Sequence, residues 1–180
     1  DVPLNLKREK LDEIVLEKFG YKDVPDTDLV EWNDFLQRFK FPKKEITIGL
    51  IGKYIELKDA YISIYESFIH AGAKNECKVN VERIHSEEIN KNNLKEKLGH
   101  LDGIFVAPGF GQRGVDGKIF AIQYARENNV PFFGVCLGMQ MAVIEFAKNV
   151  LKLEDANSTE MKQNCQNPVI DMMQEQKTIV

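Results

Sequence analysis

Two short stretches of this chain carry residue types and spacings suited to covalent chemistry. Phe132-Phe133-Gly134-Val135-Cys136-Leu137-Gly138-Met139-Gln140 reads as an apolar strand, a Gly-x-Cys-x-Gly turn and the start of a helix. Such a turn strains its central residue and presents the sulfur at a strand end, while small residues two positions to either side let neighbouring backbones pass. The N-terminus of the helix that follows favours a thiolate and can receive an oxyanion. Taken by itself, the turn fits a structural cysteine buried at a strand end equally well. The second stretch, Pro108-Gly109-Phe110-Gly111-Gln112-Arg113-Gly114, holds a G-x-G-x-x-G pattern between a strand and a helix. A dinucleotide site of that kind asks for an acidic residue about 20 positions further on, at the end of the next strand. That strand ends at Cys136 instead. Backbone amides beside a nucleophile suit an oxyanion hole better, with one donor from the loop at Gly109 and Phe110 and a second from Leu137.

A cysteine nucleophile also needs a base, and only His70, His85 and His100 are present. His70 falls near the end of a helix, and His100 precedes a strand, on the wrong edge of a sheet. His85 follows a strand and could face the site, but reads better as a surface turn. Gly49-Leu50-Ile51-Gly52-Lys53 resembles a phosphate loop, yet it is too short and lacks the Ser or Thr after the lysine; it reads as a strand-end turn.

The elements that must position these residues begin at Ile46. Strands are expected at Ile46–Ile51, from Cys77 to about Ile84, at Ile104–Ala107 and from Pro131 to Cys136. Helices are expected from Asp59 to Gly72, near Glu87–Leu98, through Ile119, Ile122 and Ala125, and from the cysteine turn through Met139, Ala142, Val143, Phe146 and Val150. Alternating strands and helices with apolar strands imply a doubly wound α/β fold, a mostly parallel sheet covered on both faces. Right-handed crossovers then bring Gly52, His85, Pro108 and Cys136 to one edge, where ligands bind in such sheets. Residues 1–43 differ. Leu6, Leu11, Ile14, Val15 and Phe19 share a helical face stopped by Gly20, and Thr27 can cap a second helix carrying Leu29, Trp32, Phe35, Leu36 and Phe39. This is expected to be a helical arm or linker, with 44–180 the catalytic domain.

Composition removes several classes. The 180 residues are 43% hydrophobic and 29% charged, with net charge −4, so no basic field points to nucleic acid. No apolar run reaches membrane-spanning length. Three widely spaced cysteines without a C-x-x-C pair argue against a disulfide framework or a metal site and for a reducing cytoplasm.

These words together resemble a family. Phe132–Gln140 is similar to the elbow of class I glutamine amidotransferases. Gly109–Gly114, Tyr124-Ala125-Arg126-Glu127-Asn128, Asp155-Ala156-Asn157-Ser158-Thr159-Glu160 and Gly52–Tyr61 narrow this to the glutaminase domain of the CTP synthases. The resemblance implies that Cys136 attacks the side-chain amide of L-glutamine to form a glutamyl thioester. Phe110 and Leu137 would bind the oxyanion, and Gly109, Leu137, Gly138, Met139, Gln140 and Glu160 would hold glutamine. Residues 1–43 would lead from a synthetase domain that uses ATP and Mg to aminate UTP, within a homotetramer activated by GTP; no cofactor is expected in this domain. Members commonly have Pro-Gly-Gly-Phe-Gly where this chain has Ala107-Pro108-Gly109-Phe110-Gly111. The family's catalytic His and Glu fall beyond a Gly-Gly-Thr-Met-Arg-like stretch, further along than Val180, so the 180 residues alone are expected to turn over little glutamine. A non-glutamine cysteine hydrolase of the same architecture, and a non-catalytic module binding through residues 1–43, share part of this pattern.

Overall fold

Apolar runs with no polar face become strands buried on both sides, as in the centre of the four-stranded main sheet of the computed structural model, which describes residues 1–173. They are β1 (Lys44–Gly52), β2 (Cys77–His85), β3 (Gly103–Val106) and β4 (Phe132–Gly134), in the order β2-β1-β3-β4. β1 and β3 pair in parallel with Ile51 opposite Val106, and β3 and β4 pair in parallel with Val106 opposite Gly134. Every residue of β3 is buried. This is the doubly wound order expected from the sequence. Its direction reverses between β1 and β3, so the crevice beyond their carboxyl ends is the natural ligand edge.

Seven α-helices accompany the strands among the described residues: α1 (Val2–Arg8), α2 (Leu11–Lys18), α3 (Val30–Lys40), α4 (Ile62–Lys74), α5 (Leu94–Leu98), α6 (Val115–Glu127) and α7 (Leu137–Asn149). A parallel pair, β5 (Ala156–Ser158) and β6 (Asn167–Ile170), follows α7. Ile51, Leu98, Ile104, Val106, Ala121, Met141 and Ile144 form the centre of the core. α6 and α7 are joined by the bidentate pair of Arg126 with the buried Glu145, at 2.7–3.1 Å, and Asn149 donates to the same carboxylate at 3.0 Å. That second partner matters because an unpaired buried carboxylate is costly.

The chain divides into two compact units. Residues 46–67 and 79–173 form the one built on the sheet. Residues 1–45 and 68–78 form the other, where Trp32, Phe35 and Phe39 stack along α3 and His70 meets Phe35 edge-on at 5.7 Å. No helix among the described residues is long and apolar enough to cross a membrane.

Several expected elements are shifted for local reasons. The first amphipathic helix is two, α1 and α2, because Lys10 takes φ 58° between them. Asp28, not Thr27, bonds the amide of Val30 at the start of α3, while the Thr27 hydroxyl donates to Asp12. A 3₁₀ turn at Lys58–Tyr61 precedes α4, and Gly72 lies inside that helix rather than closing it. The helix expected near 87–98 is only α5. The Asn90 side chain accepts from the Asn92 amide, and the Asn93 side chain accepts from the Asn90 amide and donates to the Glu88 carbonyl, which holds these residues in turns. On α7 the buried face is Leu137, Met141 and Ile144, leaving Met139, Val143 and Phe146 exposed.

Glycines at two positions test the packing. A Cβ on Gly117 in α6 would lie 1.7 Å from the carbonyl oxygen of Ser86, whereas one on Gly111 would meet nothing but needs φ +72°. Gly117→Ala should cost roughly 2–3 kcal/mol through overpacking, and Gly111→Ala about 1 kcal/mol of backbone strain. Equilibrium urea unfolding separates them, and equal costs would show that α6 does not press on Ser86 as described.

Candidate active site

Cys136 stands between β4 and α7 with φ 52° and ψ −112°, a conformation that side chains with a Cβ rarely adopt. Its neighbours impose it. The Val135 amide donates to the Val106 carbonyl at 3.2 Å, the Gly138 amide to Val135 at 2.9 Å, and the Gln140 amide to Cys136 at 3.1 Å. A Cβ on Gly134 would lie 2.6 Å from the Gly138 carbonyl carbon, and one on Gly138 would lie 2.2 Å from the Val106 oxygen. Both obstacles are backbone and cannot swing aside. The turn therefore presses the first turn of α7 against the end of β3 and leaves Cys136 exposed as a free thiol. The Leu137 amide beside it is the first of the helix and has no acceptor within α7.

The loop after β3 faces this turn. Its start is fixed by the Ala107 amide, which donates to Ile51 at 2.9 Å. A Cβ at Gly109 would sit 3.6 Å from Lys118 Nζ and 3.8 Å from Leu137 Cδ2, which is ordinary contact. Packing alone thus does not demand glycine at 109. Phe110 projects its ring into solvent, 83% exposed, and Gly111 and Gly114 take φ +72° and +73° to reverse the chain. Two lysines hold the loop from beneath. Lys53, just past β1, donates to the carbonyls of Phe110 and Gly111 at 2.5 and 3.1 Å. Lys118 of α6 donates to the Ala107 carbonyl at 2.9 Å. Burial above all, and then the nearby Lys53 cation, push the Lys118 ammonium down to about 8, with charge on Cys136 working the other way. Lys53 is lowered as well, first by burial and then by Arg113, with Glu87 opposing.

A cleft of about 550 Å³ opens one helical turn beyond the cysteine and is lined by Gln140, Ser158, Thr159, Glu160, Gln163 and Met172, among others. The Glu160 amide donates to Ser158 Oγ at 3.2 Å, which folds the turn that carries its carboxylate. Gln112 ties the two loops together by donating to the Met161 carbonyl at 2.6 Å. The structure thus places Gln140 and Glu160 on one cleft, and Gly109 and Phe110 on the loop facing Leu137. Gly138 is spent on packing. Met139 lies elsewhere, lining an apolar cleft with Val143, Phe146 and Leu151.

Neither His85 nor His100, the two histidines of the unit built on the sheet, stands at Cys136. His85 Nδ1 accepts from the Glu87 amide at 3.3 Å, at the end of β2. β2 lies three strand positions from β4, about 14 Å at ~4.8 Å per spacing. His100 pairs with Glu82 at 2.7 Å, ahead of β3 and so at the opposite edge. His70 belongs to the other unit. Among the described residues no three or more His, Cys, Asp or Glu side chains gather as a metal site.

The strained cysteine, the facing loop and the strand order coincide with a sequence signature, since the class-I glutamine amidotransferase family matches residues 56–179. The chain belongs to that family. Within it, the chain is 60% identical to the CTP synthase of Cytophaga hutchinsonii over 179 residues, covering 99% of this chain and 33% of that protein. It is 54% identical to the CTP synthase of Methanocaldococcus jannaschii over 185 residues, covering 99% and 34%. The chain thus spans about a third of the length of these curated relatives. A solved structure titled as the Trypanosoma brucei CTPS glutaminase domain with bound acivicin superposes with a TM-score of 0.67 at 41% identity, over 72% of this chain and 50% of that one.

Sequence reasoning found the amidotransferase elbow and loop but passed over Lys53 and Lys118. Lys118 was visible: it shares the buried stripe of α6 with Ala121, Ile122 and Ala125, at a spacing where a charge has no place unless it is used. Lys53 was hidden in a turn read as plain.

The strain at Cys136 has a thermodynamic signature. Replacing it by glycine should raise the unfolding free energy by roughly 1 kcal/mol relative to Cys136→Ala, because glycine adopts positive φ freely. Urea melts of the two variants give the difference; a glycine variant less stable than the alanine one would mean that the turn is relaxed.

Proposed function

We propose that this chain is the glutamine-hydrolysing part of a CTP synthase, with Cys136 as nucleophile. The observation that carries the reading is the strained, exposed Cys136 between the Leu137 amide and the Gly109–Phe110 loop, in a chain 60% identical to a CTP synthase.

The Cys136 thiolate attacks the amide carbon of the glutamine side chain. The amides of Phe110 and Leu137 take the charge of the tetrahedral oxyanion, an interaction worth most in the transition state. Collapse breaks the C–N bond, and ammonia leaves with a proton, giving the glutamyl thioester. Water then attacks the thioester and releases glutamate and the free thiol. Glu160 on the cleft wall pairs with the substrate's α-ammonium group, a charge-assisted contact, and Gln140 bonds its amino-acid head. Gly109, Gly138 and Met139 contribute backbone along the path. Ammonia serves the ATP- and Mg-dependent amination of UTP in a synthetase domain, to which residues 1–43 form the helical linker. GTP activation and a homotetramer belong to that whole enzyme, whose setting is the cytoplasm.

Placement of His85 and His100 away from Cys136 supports low turnover by the 180 residues alone, because general-base assistance contributes about 10²–10⁴-fold. Labelling is therefore the sharper test. Acivicin, an amino-acid electrophile, should modify Cys136 and leave Cys77 and Cys165 unmodified, with free glutamine protecting. Glu160→Gln should raise the protecting glutamine concentration about tenfold, and His85→Ala should leave the labelling rate unchanged. Peptide mapping by mass spectrometry reads all three. Labelling spread over the cysteines and indifferent to glutamine would overturn the glutamine reading. Full-rate glutamate release abolished by His85→Ala would make His85 the base.

A further inference from the structure

Two different loops would hold the two ends of glutamine, and the distance fixed between them decides which substrates fit. The Gly109–Phe110 loop, at the amide end, is anchored from beneath. Lys118 binds the Ala107 carbonyl at its foot, and Lys53 binds the carbonyls of Phe110 and Gly111. The Gln112 backbone is fixed too, because its carbonyl accepts from the Val115 amide at 3.2 Å where α6 begins. The Glu160 turn, at the α-ammonium end, is anchored on its far side to β6 and the residue after it. The Thr159 amide donates to the Ile170 carbonyl at 3.0 Å, and the Thr159 hydroxyl donates to Asp171 at 2.8 Å. The Gln112 side chain joins the two loops. It stands two residues past Phe110 and donates at 2.6 Å to the carbonyl of Met161, the residue after Glu160. Met161 packs against the core, so this bond ends on a braced group.

We propose that Gln112 is a positioning residue that sets the substrate length this site accepts, holding the Glu160 turn at the distance from the oxyanion loop that suits L-glutamine and excludes the shorter L-asparagine. This rests on the reading of Cys136 as nucleophile and of Glu160 as partner of the α-ammonium group. An amide attacked by a thiolate must lie at near-attack distance, where a displacement of ~1 Å can cost about 10²-fold. Asparagine is one methylene shorter than glutamine. Between two fixed loops it fails to reach both ends at once, a shortfall worth about 10- to 200-fold in a defined pocket. A Glu160 turn released from Gln112 yields toward the shorter chain and holds the longer one less well. Since one neutral hydrogen bond is lost, the effect on glutamine is about 3- to 10-fold.

The test is protection of Cys136 from acivicin by each amino acid, with the Cys136 peptide quantified by mass spectrometry. Gln112→Leu keeps the bulk of the side chain and removes the donor, and because the residue is exposed the core is untouched. In the wild type, glutamine should protect at a concentration at least about tenfold below that of asparagine. In Gln112→Leu the protecting glutamine concentration should rise about 3- to 10-fold, while that of asparagine stays level or falls. The ratio between the two therefore narrows, whereas general loosening of the structure would weaken both alike. Glu160→Gln should also cost less in the Gln112→Leu background than in the wild type, because the carboxylate it removes is no longer held in place. Iodoacetamide, which has no amino-acid head, should alkylate Cys136 of Gln112→Leu at the wild-type rate. An unchanged ratio, independent costs of the two substitutions, or slowed alkylation by iodoacetamide would each overturn the proposal. Failure of the underlying reading is seen separately, in the wild-type chain, as Cys136 that glutamine does not protect.

Discussion

Three backbone segments meet where the end of β3, the end of β4 and the first turn of α7 come together, and the site depends on that contact. Gly134 and Gly138 are the two residues that allow it. With a Cβ at either, the helix would have to withdraw, since the obstructing atoms are the Gly138 carbonyl and the Val106 oxygen. Withdrawal would relax Cys136, remove the Leu137 amide from the facing loop and open the path to the Glu160 cleft. Strain at Cys136 follows from close packing elsewhere, held by core residues such as Ile104, Val106, Met141 and Ile144.

The second device is electrostatic. Two lysines lie under a loop whose carbonyls they bind, and two like charges in so dry a place destabilise the fold. Their lowered proton affinities record that cost. Glycines give the loop its turn, but glycines alone would leave it free to sample other shapes. The lysine clamp supplies the order that glycine gives away, and Gln112 extends it to the Glu160 turn through the Met161 carbonyl. The Gly109–Phe110 loop and the Glu160 turn are thereby connected through defined hydrogen bonds.

Much of this was legible in the residues. β3 and the second half of β1 are apolar runs whose burial leaves little choice of structure, and the Gly-x-Cys-x-Gly turn encodes its own geometry. Legibility failed where local polar groups decide. The side chains of Asn90 and Asn93 turned an expected helix into turns by bonding nearby backbone, a competition that apolar periodicity does not register. Lys10 broke a continuous helical face through one backbone angle. On α7 both faces are apolar, so pattern alone could not say that Met141 and Ile144 face the core while Val143 and Phe146 face out. Lys53 looked like part of a strand-end turn because its partners are carbonyls 57 and 58 residues away.

The most direct test is the crystal structure of the chain after reaction with acivicin. The account predicts a covalent bond from Cys136 Sγ, the adduct facing the amides of Phe110 and Leu137, and its α-ammonium group ~3 Å from the Glu160 carboxylate. An adduct on Cys165, or one on Cys136 whose amino-acid head points away from the Gln140–Glu160 cleft, would contradict it.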